Sequence, residues 1–431
     1  MKGARSMSDN ASIIGLLKKE MVTAMGCTEP AAAALAGSKA RELLDCVPEK
    51  LTVYASRDMI KNAMAVGIPN CEERGILTAV CLGVFSECRV KDLSILSAVT
   101  DAQRSNAAKL STASRLELAE GTDPVYVKVE ATAGEHKSVC VISGEHDRIS
   151  DMQKDGNHIQ ITAQPGCQVG DEVSNILNSM SLADVIDFVT DADMGELRFV
   201  MESAETNYAL AKHSVETGYG LHVANALLED MPARPGTLHE AMTFATAYAA
   251  AGSDARMSGC PKAVVINSGS GNQGITCTVP VLMLGRYLNC NDDKIIEALC
   301  ISELVGLMIT ARKDRLSALC GAFTAAMGAG CGMIWLMGGS LNEMNLVIRT
   351  MVGDLSGIVC DGAKTSCALK ICSSLQAACL AVRLAMRGNA PGRESGIIGG
   401  DAMESIDNLM TMSHDGMVDT DKVILSIMLN K

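Results

Sequence analysis

The chain has 431 residues, and its content of 48% hydrophobic and 20% charged residues is typical of a folded globular protein. Its 37 basic and 50 acidic residues give a net charge of -13, which repels phosphate backbones and anionic lipid and so argues against nucleic acid as a partner. The length exceeds what one hydrophobic core usually organises, so we expect two domains or one large mixed domain.

The region up to about residue 170 combines helical and strand patterns. An alanine-rich helical pattern covers residues 30–44, and residues 50–56 then alternate apolar and polar side chains as a half-buried strand does. Further strand patterns at 124–133, 138–143 and 158–163 are separated by Gly, Asp and Asn turn residues. This arrangement predicts an antiparallel meander.

Strand patterns nearly vanish after residue 173, where helical periodicity takes over in MSLADVIDFV and ELRFVMESAETNYALAKHSV. The exception is KAVVINS, which predicts one short strand. We therefore expect an α+β protein, with a mixed region at residues 1–180 that contains an antiparallel sheet, followed by a mainly helical domain at residues 181–431.

Membrane association and secretion are not expected. The first residues, MKGARSMSDNASIIGLLKKE, lack both a continuous apolar stretch and a small-residue cleavage site, so we expect a cytoplasmic protein. The longest uncharged stretch, residues 316–342, is long enough to span a bilayer, but its glycines and alanines favour a small-residue helix inside a helical domain. The 17 cysteines are then expected to be reduced thiols, either buried or bound to metal.

The first chemical candidate is the cysteine of MGCTEPAAAALA. Pro30 suits a first helical turn and Thr28 suits its cap, so Cys27 is expected just ahead of a helix N-terminus. A thiol in that position should ionise more easily than a buried one. A packed cysteine beside a turn is the alternative.

A polar segment follows the first predicted strand. Lys61 and Asn62 in SRDMIKNAMAVGIPN are expected on a loop, where Lys61 either meets an anionic substrate or faces solvent. Histidine pairs at metal-binding spacing are absent from the sequence, so a histidine metal site has little support.

The segment VVINSGSGNQGITCTVP carries glycines at the spacing of a dinucleotide-binding fingerprint. The sequence after it, with Pro280 and a helical pattern, does not supply the second strand that such a fold needs. We favour a glycine-rich loop whose amides hold a small anion such as a carboxylate, with a plain flexible turn as the alternative. The candidate substrate-binding residues of this loop are Ser268, Gly269, Ser270, Gly271, Asn272 and Gln273.

Cys360 and Cys367 flank an Asp-Gly pair in GIVCDGAKTSCALK. On one straight helix their α-carbons would lie about 10.5 Å apart along the axis, too far for comfortable ligation of one compact cluster. The Asp-Gly pair is a strong turn signal, and Thr365 or Ser366 can cap a helix that begins at Cys367. We therefore expect Cys360 in a loop folded back over the start of that helix, where the helix dipole stabilises a thiolate.

A third ligand must come from elsewhere in the chain. Cys320 is a candidate that spacing cannot prove, and Cys331 is its rival, whereas Cys372 and Cys379 are expected in the core. The chain has no C-x-x-C, so zinc-ribbon and ferredoxin patterns are absent.

Five segments in order, GCTEP, SDARMSG, NSGSGNQGITCTVPV, RLSALCG and GDLSGIVCDGAKTSCALK, resemble the L-cysteine desulfidases, relatives of the iron-sulfur L-serine dehydratases. The resemblance covers most of the chain, from about residue 20 to 425. It implies that Cys320, rather than Cys331, joins Cys360 and Cys367 in holding a [4Fe-4S] cluster, with one iron left without a ligand from this trio. It also implies that Cys27 is either the fourth ligand at rest or the base that removes the α-proton of the substrate.

The activity implied by the resemblance is removal of sulfide from L-cysteine by α,β-elimination, giving pyruvate and ammonia without pyridoxal phosphate. The glycine-rich loop would then bind the substrate carboxylate, with the open iron as Lewis acid for the leaving group. The expected partner is a small amino acid, with no nucleic acid and no membrane, and a homodimer is left open.

One departure concerns the closest alternative, an L-serine dehydratase. Those enzymes commonly carry a C-terminal cysteine that reaches the cluster, whereas this chain has no cysteine after Cys379. From a different class, an iron-sulfur redox sensor without lyase activity stays open. We rank a pyridoxal-phosphate lyase using Lys61 or Lys364, and a dinucleotide enzyme using the glycine loop, below these.

Overall fold

The computed structural model of the chain describes residues 7–86, 93–161, 176–313 and 318–430. Within those ranges a six-stranded sheet lies in the N-terminal half and helices dominate the rest, so the predicted α+β class is confirmed. The described helices are α1 (Met7–Glu20), α2 (Thr28–Leu44), α3 (Arg57–Ala63), α4 (Ile76–Phe85), α5 (Asp101–Thr112), α6 (Leu182–Asp191), α7 (Arg198–Thr217), α8 (Val223–Leu228), α9 (Leu238–Met257), α10 (Gly271–Tyr287), α11 (Asp292–Ala311), α12 (Gly321–Leu336), α13 (Leu341–Leu355), α14 (Cys367–Ala385), α15 (Ala402–Thr411) and α16 (Val418–Leu429), with a π-helical turn (Met412–Gly416) before α16.

The strands form two sheets. The larger has the order β3-β2-β4-β5-β6-β7, and its neighbours are antiparallel except for the parallel β2–β3 pair at one edge. The smaller pairs β1 with β8 antiparallel. The described strands are β1 (Thr23–Met25), β2 (Lys50–Ala55), β3 (Arg115–Leu118), β4 (Tyr126–Ala133), β5 (His136–Ser143), β6 (Ile149–Lys154), β7 (Asn157–His158) and β8 (Ala263–Val265).

The strand predictions are confirmed for β2, β4, β5 and β8. The strand predicted at 158–163 is wrong over 159–161, because β7 ends at His158 and only the Ile159 N–H still donates to β6, at the Met152 oxygen 2.9 Å away; residues 162 and 163 lie outside the described range. Sequence patterns did not reveal β3 and β6. β3 has only four residues, and β6 has no clear burial alternation, so neither carries the period-2 signal on which strand prediction depends.

Two large hydrophobic clusters organise the chain. One lies between the six-stranded sheet and helices α2 and α4, and the other fills the helical half. The N-terminal helix α1 packs on the helical half through Leu16 and Leu17, and β1 joins that half through β8. Conversely, Leu425 of α16, from the helical half, packs into the hydrophobic cluster between the six-stranded sheet and helices α2 and α4. The domain division at residues 180 and 181 stays a prediction.

Helix α12 accounts for the long uncharged stretch and is packed as predicted. A Cβ on Gly328 would lie 2.3 Å from the backbone oxygen of Ser302, so α11 and α12 approach closely because Gly328 has no side chain. Among the described residues, one helix, α14, is apolar and long enough to cross a membrane, although half of its apolar window is buried in the fold.

Candidate active site

A cavity with about 820 Å³ of empty space, including its mouth, collects residues that are far apart in the chain. Of the predicted catalytic, substrate-binding and cluster-ligand residues, Gly271 is the one that does not line it. Those that do are Cys27, Lys61, Asn62, Ser268, Gly269, Ser270, Asn272, Gln273, Cys320, Cys360 and Cys367. The structure therefore brings them together in one place, while their roles in binding and catalysis stay predictions.

Several lining residues were not predicted. Glu29 and Arg256 lie inside the motifs GCTEP and SDARMSG, so the sequence carries a signal for both. Thr28 was considered only as a helix cap. His146 follows β5 and Lys313 follows α11, and neither has a local sequence signal that distinguishes it from a surface cation.

The N-termini of four helices meet at the cavity. Cys27 occupies the N-cap of α2, Ser270 that of α10, and Cys320 that of α12, while Cys367 is the first residue of α14. The first N–H groups of a helix have no intrahelical partner, and the helix dipole places positive potential there. Four such ends make the cavity favourable for anions in a chain whose net charge is -13.

The cap of α2 differs from its prediction. The helix begins at Thr28 and Cys27 is its cap, whereas Thr28 was expected in that role. The Thr28 hydroxyl instead donates to the backbone oxygen of Gly269 at 3.0 Å. The start of α2 is thereby connected to the glycine-rich segment.

The predicted glycine-rich loop is a tight turn of two residues. Ser268 and Gly269 have φ values of 48° and 77°, and the flanking residues exchange hydrogen bonds: the Asn267 N–H reaches the Ser270 oxygen at 3.1 Å and the Ser270 N–H reaches the Asn267 oxygen at 3.0 Å. Consecutive positive φ values characterise type I′ turns. The loop prediction is wrong for Gly271, Asn272 and Gln273, because the Ser270 side chain caps α10 and places all three in the first helical turn.

The buried carboxyl group of Glu303 forms a hydrogen bond with Asn267, the residue that precedes this turn. Glu303 of α11 is 1% exposed, and one of its oxygens accepts a hydrogen bond from the Asn267 side-chain amide. That amide also reaches the Glu303 backbone oxygen at 3.2 Å. Burial, only partly offset by the Asn267 hydrogen bond, raises the pKa of Glu303 to about 8.

Glu303→Gln is expected to remove a pH dependence of stability. The raised pKa means that the folded protein keeps a proton on Glu303 that the unfolded chain releases, from about pH 4.5 up to about pH 8. Because the unfolded state binds fewer protons in that interval, the Glu303 contribution to the unfolding free energy falls by about 1.4 kcal/mol per pH unit as pH rises. Urea unfolding across the interval should show this loss in the wild type and not in Glu303→Gln. Glu297→Gln on the same helix is the control, and equal pH profiles in wild type and Glu303→Gln would contradict the prediction.

Lys61 and Asn62 lie on helix α3, so the prediction that they lie on a loop is wrong. The Ser56 side chain caps this helix by accepting from the Met59 N–H, which turns the segment after β2 into a helix and buries both residues. Asn62 donates to Glu29 Oε1 at 3.0 Å. Burial opposes the charge of Lys61, but the nearby Cys360 and two carboxylates outweigh it and raise the pKa of Lys61.

Cys27 and Glu29 form a buried pair. The Cys27 thiol is 4% exposed and donates to Glu29 Oε2 at 2.8 Å. Burial and the Glu29 charge raise the pKa of Cys27 well above its usual range, so the expectation of an easily ionised thiol is wrong. Burial also acts to raise the pKa of Glu29, but His146, the Cys27 hydrogen bond and Arg256 together lower it. The pair therefore holds its proton on sulfur and its charge on the carboxylate.

Three further cysteines, Cys320, Cys360 and Cys367, line the same cavity. A short antiparallel bridge pairs Leu319 with Val359, and it places Cys320 beside Cys360. The hydrogen bond from the Cys320 thiol, aided by the Lys61 ammonium and opposed by burial, lowers the pKa of Cys360. Cys320 keeps the proton of this hydrogen bond, because the bond itself, burial and the negative charges of Cys360 and Cys367 raise the pKa of Cys320.

The segment between Cys360 and Cys367 confirms the predicted turn. Gly362 has φ of 93°, and Asp361 forms an ion pair with Lys364 at 2.5 Å and another with Lys370. Helix α14 begins at Cys367, whose thiol donates to the Gly362 oxygen at 3.7 Å. Burial raises the pKa of Cys367, so the helix start favours a thiolate less than expected there.

The positions of the other cysteines distinguish candidate cluster ligands from core residues. Cys331, the rival of Cys320, is fully buried inside α12 and does not line the cavity, and Cys372 is buried on α14. In the described part of the chain, no three His, Cys, Asp or Glu side chains are grouped so that they could hold a single metal ion. The cysteines described by the structure are free thiols.

Comparison with known proteins agrees with the ordered motifs. The chain is 37% identical over 416 residues to a UPF0597 protein of Aeromonas hydrophila, a match covering 96% of this chain and 95% of the relative. It is also 37% identical over 426 residues to a UPF0597 protein of Lachnoclostridium phytofermentans, covering 97% and 99%. The serine dehydratase alpha chain profile matches residues 90–426. The chain therefore belongs to the serine dehydratase alpha chain family.

Proposed function

We propose that the chain is an iron-sulfur lyase that removes sulfide from L-cysteine by α,β-elimination, giving pyruvate and ammonia. Membership of the serine dehydratase alpha chain family indicates a serine dehydratase-like lyase. The observation that carries the finer assignment is the lining of one cavity by Cys320, Cys360 and Cys367 together with the Cys27–Glu29 pair.

The three thiols suit a [4Fe-4S] cluster better than a single ion. Each thiolate of such a cluster binds a different iron, so its ligands need not converge on one point. Cys320, Cys360 and Cys367 would hold the cluster, and the meeting helix N-termini together with Lys61 favour its negative charge. Bound there, the cluster would supply a Lewis acid for the leaving group of the substrate.

The substrate's carboxylate and ammonium groups have matching partners in the same cavity lining. The start of α10 offers unpaired N–H groups to a carboxylate, and the guanidinium of Arg256, anchored by an Nε bond to the Gly26 oxygen at 3.2 Å, lies in the same lining. Asn272 Oδ1 is buried without a hydrogen-bond partner among the described residues. That oxygen is suited to accept from the substrate's ammonium group.

The Cys27–Glu29 pair supports removal of the α-proton. Moving the thiol proton along the 2.8 Å contact to Glu29 leaves a thiolate that can accept the proton next to the substrate carboxylate. Asn62 and His146 stabilise the Glu29 charge at rest, and the thiolate would form only transiently. The β-substituent leaves as sulfide, and the resulting aminoacrylate tautomerises and hydrolyses to pyruvate and ammonia.

Anaerobic preparation followed by product assays tests this proposal. Wild-type protein is expected to contain iron and sulfide and to release equal amounts of sulfide and pyruvate from L-cysteine. Cys360→Ala should lose both the cluster and turnover, whereas Cys372→Ala, a buried cysteine on α14 away from the cavity, should keep them. An intact cluster with no product from cysteine would refute the desulfidase assignment.

The second candidate is an L-serine dehydratase, which the family description favours. Hydroxyl and thiol leaving groups both bind iron, so comparing kcat/KM for L-serine and L-cysteine decides between them. Iron binding without turnover of either amino acid would favour a redox sensor. We also keep as proposals a small amino acid as the partner, no nucleic acid or membrane, a cytoplasmic location and an open choice between monomer and homodimer.

A further inference from the structure

A buried lysine connects the cysteine side of the cavity to the C-terminal helix. Lys61 is 1% exposed, and its Nζ lies 2.5 Å from Asp421 Oδ1 on α16 and 3.2 Å from Asp58 Oδ1 on its own helix. Burying an ammonium group is costly unless carboxylates pair with it. Asp421, which is far from Lys61 in sequence, therefore provides part of the negative charge that allows the Lys61 ammonium group to be buried.

Lys61 packs directly against the turn that follows Cys360. A Cβ added to Gly362 would lie 2.3 Å from the Lys61 backbone oxygen and 3.3 Å from its Cγ, so there is no free space between them. Both Lys61 and Cys360 line the cavity. A displacement of Lys61 would therefore also displace the segment that carries Cys360.

Helix α16 docks by two kinds of contact. Leu425 packs into the hydrophobic cluster below the sheet, and Asp421 pairs with Lys61. Asp419, one helical half-turn earlier, pairs with Lys422 at the surface and is itself exposed. The two aspartates carry the same charge on the same helix, but of the two it is Asp421 that pairs with the cavity-lining Lys61.

We propose that Asp421 is a positioning residue: it holds Lys61 against the Cys360 segment, and through this contact the C-terminal helix sets how firmly the cavity retains an anionic iron-sulfur cluster. The part concerning the cluster rests on the proposed function. The part concerning Lys61 does not, because the contacts exist in the chain itself.

The test compares Asp421→Asn with Asp419→Asn and Asp421→Glu. In cluster-free protein, the rate at which an N-hydroxysuccinimide ester modifies Lys61 is followed by peptide mass spectrometry. In anaerobically loaded protein, the rate of iron loss to bipyridyl is followed by absorbance. We expect Asp421→Asn to raise both rates roughly tenfold, because removing one partner of a buried ion pair exposes the other, and Asp419→Asn to match the wild type. Asp421→Glu should restore part of the protection.

The outcomes separate the two parts. Equal Lys61 modification in Asp421→Asn and Asp419→Asn, in variants whose thermal unfolding shows that they are folded, overturns the positioning role. Faster Lys61 modification with unchanged iron loss overturns the effect on cluster retention. A chain that binds no iron under any condition contradicts the proposed function, and the Lys61 modification rates then still decide whether Asp421 positions the lysine.

Discussion

Cys320→Ala is expected to abolish iron binding and lyase turnover, whereas Cys331→Ala leaves both close to the wild type. Both cysteines belong to the same helical segment, but Cys320 caps α12 at the cavity beside Cys360, and Cys331 is fully buried within the helix. Changing groups that merely support metal ligands costs about 10- to 100-fold in metal affinity or activity, so loss of a ligand should exceed about 100-fold.

Iron and sulfide per chain, together with pyruvate formation, measure this effect. The Cys331→Ala control accounts for the removal of a buried sulfur, which should cost only about 1 kcal/mol of stability. Equal iron content in the two variants would show that Cys320 is not a ligand and would leave the trio incomplete.

Gly274→Ala is expected to cause the largest loss of stability of any single methyl group added near the site. A Cβ at Gly274 would lie 2.0 Å from the backbone oxygen of Val265, so α10 and β8 cannot both stay in place. Overpacking a well-packed core costs about 1–3 kcal/mol, and more when only backbone can move, so we expect about 3 kcal/mol or more. The displaced α10 would also carry the Ser268–Gly269 turn away from Thr28.

Urea unfolding midpoints measure this loss, and Gly15→Ala supplies the matched control. Gly15 lies in the exposed part of α1 with nothing within 4 Å of an added Cβ, so alanine should stabilise the protein by about 0.5–1 kcal/mol. Similar midpoints for the two alanine variants would mean that the close contact between α10 and β8 does not constrain the fold.

Features encoded by neighbouring residues were predictable. The turn after Cys360 follows from the Asp-Gly pair, and the helix begins at Cys367 as predicted, although the Ser366 side chain at its N-cap makes no capping hydrogen bond. The same holds for the small-residue helix α12, whose pattern of glycines and alanines permits close packing. These predictions succeeded because backbone conformation at turns and helix starts depends on a few adjacent side chains.

Features set by distant residues were missed. The sequence predicts Lys61 on a loop, but it lies on α3 and is buried. The residues near Lys61 in sequence do not indicate Asp421, the distant carboxylate that offsets part of the free-energy cost of burying the lysine. Thr28 was expected to cap a helix, but its hydroxyl meets the Gly269 oxygen instead. Such contacts cannot be read from local patterns, because they exist only after the helical half and the sheet half have come together.

The sequence by itself determined the α+β class, the mainly helical character of the second half and the order of the motifs on which the family resemblance rests. Only the tertiary structure decided which thiols share a cavity and in which protonation state they rest. Cys27 keeps its proton although it caps a helix, because burial and the Glu29 charge outweigh the helix dipole. Desolvation and charge interactions depend on distances in space, and these are established by folding rather than by sequence spacing.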